Sequence, residues 1–234
     1  MMHTKMGTTS NSGNQALGPL HACLLSYLLL GCATAKIQPT NVKWEAAIEA
    51  FEAEDEAHPV QPGSVLFIGS SSIRMWESLP ADFPKAKVLN RGFGGSQIVD
   101  SIYFADRIII PYAPKSIFLY AGDNDIAKGK DAKTVLRDFK QFAKKVHRAL
   151  PNARIYFIAI KPSIRRWHLA AEMAKANSLV EAFTQGDERL DFVDIWTPML
   201  DETNRPKKSL FIDDGLHMNH EGYEVWRKAI LPLL

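Results

Sequence analysis

Four short polar segments hold the side chains best able to do chemistry: Gly69-Ser70-Ser71-Ser72, Gly92-Phe93-Gly94-Gly95, Gly122-Asp123-Asn124-Asp125 and Asp214-Gly215-Leu216-His217. A serine hydroxyl is a weak nucleophile unless a base takes its proton, and an imidazole does so best when a carboxylate steadies the ring. Ser71 is the candidate nucleophile, with Ser70 and Ser72 as competitors that spacing alone does not separate. His217 is the candidate base, and Asp214, three residues earlier, the candidate orienting acid, with Asp213 as an alternative. Attack on a carbonyl builds negative charge on its oxygen, which needs N–H groups aimed at it. Gly95, where backbone can approach closely, and Asn124, with its side-chain amide, are the candidate donors. Together these groups could perform acyl transfer through a covalent serine intermediate.

Each segment also has a plainer reading. The first could be a turn with a helix cap. The second could be a flexible loop, and the third a polar turn with Asx hydrogen bonding. A dinucleotide fingerprint does not fit the second, because Gln97 stands where its third glycine belongs. His217 and His220 form a His-x-x-His pair, but no third ligand cluster accompanies them, so no metal site is expected. The ordered set of four carries the reading that no single segment would.

The elements that must position these segments follow from hydrophobic pattern. Residues 64–68, 86–90, 116–120, 153–160 and 190–195 are short strand-like runs, the clearest of them continuously apolar as in strands buried on both faces. Residues 42–58, 96–109, 131–150, 167–185 and 219–231 read as helices. Strand and helix alternate, which predicts an α/β fold: a three-layer α/β/α arrangement around a five-stranded parallel sheet. In such sheets the ligand crevice lies beyond the carboxyl ends of the strands, where the first three segments fall. Arg165, Arg166 and Trp167 follow the fourth strand on that edge and could contact a polar leaving group, or simply be a solvated loop.

The chain has 234 residues, 46% of them hydrophobic, enough for one sizeable core. A formal charge of +2, with no basic stripe beyond short pairs such as Lys144-Lys145, gives no footprint for nucleic acid. The only cysteines, Cys23 and Cys32, lie near the N-terminus, so the globular part has no disulfide framework. Residues 22–31 are apolar but too short to cross a bilayer, and they have the length of a signal-peptide core. Leu29-Leu30-Gly31-Cys32 resembles a bacterial lipobox. That resemblance implies a signal peptide over residues 1–31, lipid attachment at Cys32, a tether over 32–41 and an exported, membrane-anchored protein of the cell envelope. The catalytic domain is then expected over residues 42–234.

Taken together, the four segments resemble the SGNH hydrolases, also called GDSL-type esterases and lipases, over roughly Val60 to Leu234. The resemblance implies a flavodoxin-like sandwich. It places the nucleophile at Ser71 and the second-block glycine at Gly95, with Gly94 as the alternative. It also makes Asn124 an oxyanion donor beside the N–H groups of Ser71 and Gly95, and pairs Asp214 with His217. Ser70 stands where that family usually has Asp, which puts one supporting hydrogen bond in question. The implied activity is cofactor-free, metal-independent hydrolysis of carboxylic esters. The expected substrates are short acyl groups on a carbohydrate or other small molecule. A lysophospholipid or acyl thioester is the competing substrate, and a non-catalytic envelope lipoprotein is the competing class.

Overall fold

The computed structural model describes residues 41–234. The expected signal peptide, the lipid attachment at Cys32 and the tether up to residue 40 lie outside the described residues. The apolar runs form five parallel strands: β1 (Val65–Gly69), β2 (Val88–Gly92), β3 (Ser116–Tyr120), β4 (Arg154–Ile158) and β5 (Leu190–Val193). Their order across the sheet is β2-β1-β3-β4-β5, the doubly wound flavodoxin-like arrangement. The register aligns Gly69 with Gly92 on one side and with Tyr120 on the other. Three strand ends are therefore level, and the segments that leave them emerge side by side.

Helices cover both faces. On one lie α1 (Glu45–Ala57), α4 (Ile98–Ile108), α6 (Ala132–Ala149) and α7 (Ala170–Thr184), packed on Leu66, Ile68, Ile117, Leu119, Ile155 and Phe157. The other carries α2 (Ser71–Arg74), α3 (Leu79–Asp82) and α8 (His220–Ile230), packed on Val65, Phe67, Phe118, Tyr120, Tyr156 and Ile158. The inner strands β1, β3 and β4 thus feed alternate side chains to opposite cores, which is why residues 65–68, 117–120 and 155–158 are apolar without a break, whereas the edge strands β2 and β5 admit Asn90, Arg91 and Asp191. On the second face Phe83, Phe67, Phe118 and Tyr156 stack in a row, with successive centroids 5.7, 4.8 and 4.4 Å apart. Such pairs add about 0.5–1.5 kcal/mol each beyond their burial.

Several ends differ from the sequence expectation, each for a local reason. β4 stops at Ile158 because the Asn177 amide takes over both backbone groups of Ile160, at 2.8 and 2.9 Å. β5 stops at Val193 because the Asp194 carboxylate accepts from the N–H groups of Trp196 and Thr197. The short helices α2 and α5 (Asp123–Ala127) carry too few residues for a helical period to show. Asp214–His217 stands ahead of the last helix. It forms a loop closed by a bridge between Phe211 and Met218, and α8 begins at His220 with Asn219 as its cap. No helix among the described residues is long and apolar enough to cross a membrane.

Candidate active site

The turn after β1 is forced by Gly69. Its φ is +133°, and a Cβ there would sit 1.9 Å from the Tyr120 carbonyl oxygen, so only glycine fits. The chain is stitched to both neighbours at this point. Ser70 N–H donates to Tyr120 O at 3.0 Å, and Gly69 O accepts from Phe93 N–H at 2.8 Å. Ser71 then opens α2 at the carboxyl edge of the sheet, half-buried, while Ser70 and Ser72 are buried beneath it. Of the three serines, Ser71 is the one whose hydroxyl faces an imidazole. The hydroxyl of Ser70, where an Asp-type partner was in question, makes no hydrogen bond among the described residues.

His217 Nε2 lies 2.9 Å from Ser71 Oγ, and His217 Nδ1 lies 2.5 Å from Asp214 Oδ2. The other carboxylate oxygen of Asp214 accepts the backbone N–H groups of Leu216 and His217, at 2.8 and 2.9 Å. One carboxylate thus shapes the loop and orients the ring on it. Burial alone would raise the Asp214 carboxyl. The His217 N–H, the His217 ring and the Leu216 N–H outweigh it and hold the group down at about 2. Asp213 is exposed and takes no part in this contact. Among the described residues no group of His, Cys, Asp and Glu side chains could hold a metal ion, His217 and His220 included.

Asn124 sits on the first turn of α5, buried, with its amide held at both ends. Nδ2 donates to Ser96 O at 3.0 Å, and Oδ1 accepts from Arg166 Nη2 at 3.0 Å. A carbonyl only accepts and a guanidinium only donates, so these partners fix the amide's orientation and leave one N–H uncommitted. In the turn after β2, Gly95 adopts φ +82°, and a Cβ there would meet only Lys43 Nζ, at 3.5 Å. Gly94 is more enclosed: Trp44 Nε1 donates to its carbonyl at 2.9 Å, and a Cβ there would lie 2.9 Å from Arg74 Nε. Asp125 ties these loops together, accepting from Gly122 N–H, Ile98 N–H and Lys130 Nζ.

Arg166 turns inward. Its guanidinium contacts the Asp123 carboxylate at 3.0 Å as well as Asn124, so it is neither a solvated loop residue nor a free contact for a leaving group. Lys161, fully buried after β4, reaches Asp123 at 3.5 Å and the Tyr120 hydroxyl at 3.0 Å. Burial pushes its ammonium below the ordinary lysine value, against the pull of Asp123. Charges taken out of water cost several kcal/mol each unless paired, so Asp123, Lys161 and Arg166 form one interdependent cluster behind Asn124. Sequence reasoning missed Asp123 and Lys161. The one visible signal was a lysine directly after a run as apolar as 155–160.

A cleft of about 840 Å³ opens at the opposite edge of the sheet, between Phe83, Lys85, Lys115 and Leu231, and shares no residue with this constellation. Size therefore does not mark the site here; the convergence of four loops does.

The sequence model of the GDSL-like Lipase/Acylhydrolase family matches residues 68–225. Among curated proteins none matches the sequence significantly. Solved structures share the fold. A Streptococcus pneumonia protein named after platelet activating factor superposes with a TM-score of 0.71 at 23% identity, over 82% of this chain and 93% of its own. A GDSL-like lipase from Bacteroides thetaiotaomicron gives 0.67 at 21% identity, over 80% and 97%. An acetyl-xylooligosaccharide esterase from Geobacillus Stearmophilus gives 0.59 at 16% identity, over 74% and 94%.

Proposed function

We propose a function from one premise: this chain belongs to the GDSL-like lipase/acylhydrolase family. It is a serine esterase. The observation that carries this reading is the unbroken line from Asp214 Oδ2 through the His217 ring to Ser71 Oγ, at 2.5 and 2.9 Å, beside an oriented amide on Asn124.

Ser71 Oγ attacks the ester carbonyl carbon while its proton passes to His217 Nε2, and the carbonyl π pair moves onto oxygen. The oxyanion receives the free N–H of Asn124 and the backbone N–H groups of Gly95 and Ser71, the last at the first position of α2 and without an intrahelical partner. Asp214 stabilises the imidazolium that forms. As the carbonyl reforms, the C–O bond to the alcohol breaks, and His217 delivers its proton to the leaving oxygen. Water then repeats the sequence on the acyl-serine, releasing the acid and restoring Ser71.

The substrates are esters of short acyl groups, acetyl foremost, on a carbohydrate or other small alcohol. The support is that the segments bordering Ser71, residues 93–97, 161–169 and 200–217, hold no apolar stretch long enough to cover a fatty chain.

Turnover of p-nitrophenyl acetate by the purified domain tests the reading. Ser71→Ala should lower kcat at least about 1000-fold, whereas Ser70→Ala should not abolish it. A phosphonate probe should add its mass to the peptide carrying Ser71. A wild-type rate no higher than that of Ser71→Ala would rule the enzyme out. A rate that rises from acetate to palmitate would rule out the short-acyl choice.

A further inference from the structure

A second cleft, of about 350 Å³, is lined by Ile164, Trp167, Arg205, Pro206 and Lys208. It borders the Asp214–His217 loop through Ile164. A Cβ on Gly215 would lie 3.2 Å from Ile164 Cβ, and Gly215 O accepts the Arg165 N–H at 3.0 Å. Sheet order fixes which side of Ser71 this is. Ile164 and Trp167 leave β4 and Arg205–Lys208 follow β5, whereas the Gly94–Gly95 turn leaves β2 at the far edge, with β1 between. The cleft therefore lies away from the oxyanion turn, on the His217 side.

Its walls are apolar and its lip is cationic. The Arg205 guanidinium lies 5.4 Å from the Trp167 ring centroid, and Trp167 is backed by Trp196, at 6.1 Å and 24°. The backbone of Arg205 is pinned at both ends, its N–H to the Asp201 carboxylate at 3.0 Å and its carbonyl to the Asp201 N–H at 2.8 Å. The Asp201 carboxylate also accepts Thr203 N–H and Thr203 Oγ–H, at 2.9 and 2.7 Å. Among the described residues neither the Arg205 nor the Lys208 side chain has an ion-pair partner. Two exposed cations that form no salt bridge, with the nearby Asp201 carboxylate taken up by its own loop, attract at the rim of an apolar recess an anion that brings its own apolar surface.

We propose that this cleft receives the alcohol half of the ester, and that it selects alcohols carrying an anionic group, carboxylate or phosphate, on an apolar body. The inference rests on the esterase reading: His217 returns the proton to the leaving oxygen, so the alcohol must lie next to the loop that carries His217.

Paired acetyl esters test it. 4-Acetoxybenzoate and 4-acetoxyphenyl phosphate carry the anion on the alcohol half, and 4-acetoxybenzamide is the neutral counterpart. At low salt the intact chain should favour the anionic esters at least about tenfold in kcat/KM, mainly through KM, the equivalent of about 1.4 kcal/mol. The preference should shrink with added salt. It should fall to near unity in the double variant Arg205→Gln/Lys208→Gln, whose exposed positions leave folding intact, as a melting curve would verify. The ratio between the two anionic esters tells carboxylate from phosphate. A wild-type ratio near one, or a ratio that survives the double variant, overturns the subsite while leaving the esterase standing. If no ester turns over, the esterase reading fails and calorimetry decides the cleft. Binding of 4-hydroxybenzoate over 4-hydroxybenzamide, lost in the double variant, upholds it, and equal or absent binding ends it.

Discussion

In the proposed reaction Asn124 must hold one side chain still while charge develops beside it. Its acceptor end is fixed by Arg166 and one of its N–H groups by Ser96 O, so the remaining N–H has one direction to point. Removing an oxyanion donor of this kind costs about 10²–10³ in kcat, and Asn124→Ala should show that loss with little change in KM. Arg166→Gln should lower kcat less, because the amide stays but loses its anchor. In the Asn124→Ala background the Arg166 change should add nothing. A full, additive loss there would show that Arg166 acts elsewhere. Asp214 gives a second test at this scale. Its carboxyl is held at about 2, below the ordinary 3.8, so its contribution to stability is complete above the ordinary value and disappears as pH falls toward 2. Acid unfolding of Asp214→Asn should therefore be less steep below about pH 4 than that of the wild type. An unchanged slope would mean that the carboxylate has no such linkage.

The elements set how precisely those side chains meet. α2 carries Ser71, and its placement depends on the turn at Gly69 and on α8, whose Tyr223 hydroxyl donates to Ser72 O at 3.0 Å. A methyl group at Gly69 would meet the Tyr120 carbonyl and force a backbone conformation that side chains resist. Gly69→Ala should therefore cost at least about 2 kcal/mol of stability and lower activity well beyond the unfolded fraction, measured by denaturant melts and turnover in parallel. Normal activity per folded molecule would show that the turn does not set Ser71. Much of this was readable in advance. β1 shows itself as an unbroken apolar run ended by Gly69, and α6 as a stripe of Val135, Phe139, Phe142 and Val146. The cluster behind Asn124 was not, because Asp123 opens α5 after β3 while Lys161 and Arg166 follow β4, and only the sheet order brings the β3 and β4 ends together. Charge pairing across 38 positions leaves no periodic trace in a chain.

At the scale of the whole molecule, the segment that leads into the domain is part of the site's support. Trp44 is buried, meets Phe93 edge-on at 6.0 Å and donates its indole N–H to Gly94 O at 2.9 Å. The helix it starts is locked to the rest: Arg107 to Glu45 and Glu52, Arg91 to Glu54 and Asp55, and the Tyr112 hydroxyl to Asp55 at 2.6 Å. Position 44 is thereby joined to the Gly94–Gly95 turn some 50 residues later, the turn to which the proposed mechanism gives an oxyanion donor. Trp44→Phe keeps a ring against Phe93 but leaves Gly94 O without its donor. It should lower stability by about 1 kcal/mol and reduce kcat several-fold, with KM nearly unchanged, because Gly95 loses the neighbour that holds its turn. Trp44→Ala also opens a cavity, and should cost about 3–5 kcal/mol. The decisive comparison is Trp44→Phe assayed well below its melting temperature. If kcat there equals the wild-type value while stability falls, α1 braces the domain without reaching the chemistry. A loss of kcat in the folded protein means instead that the Gly94–Gly95 turn takes part in the reaction and is held from outside the sheet, by residues that precede the Gly69–Ser72 segment.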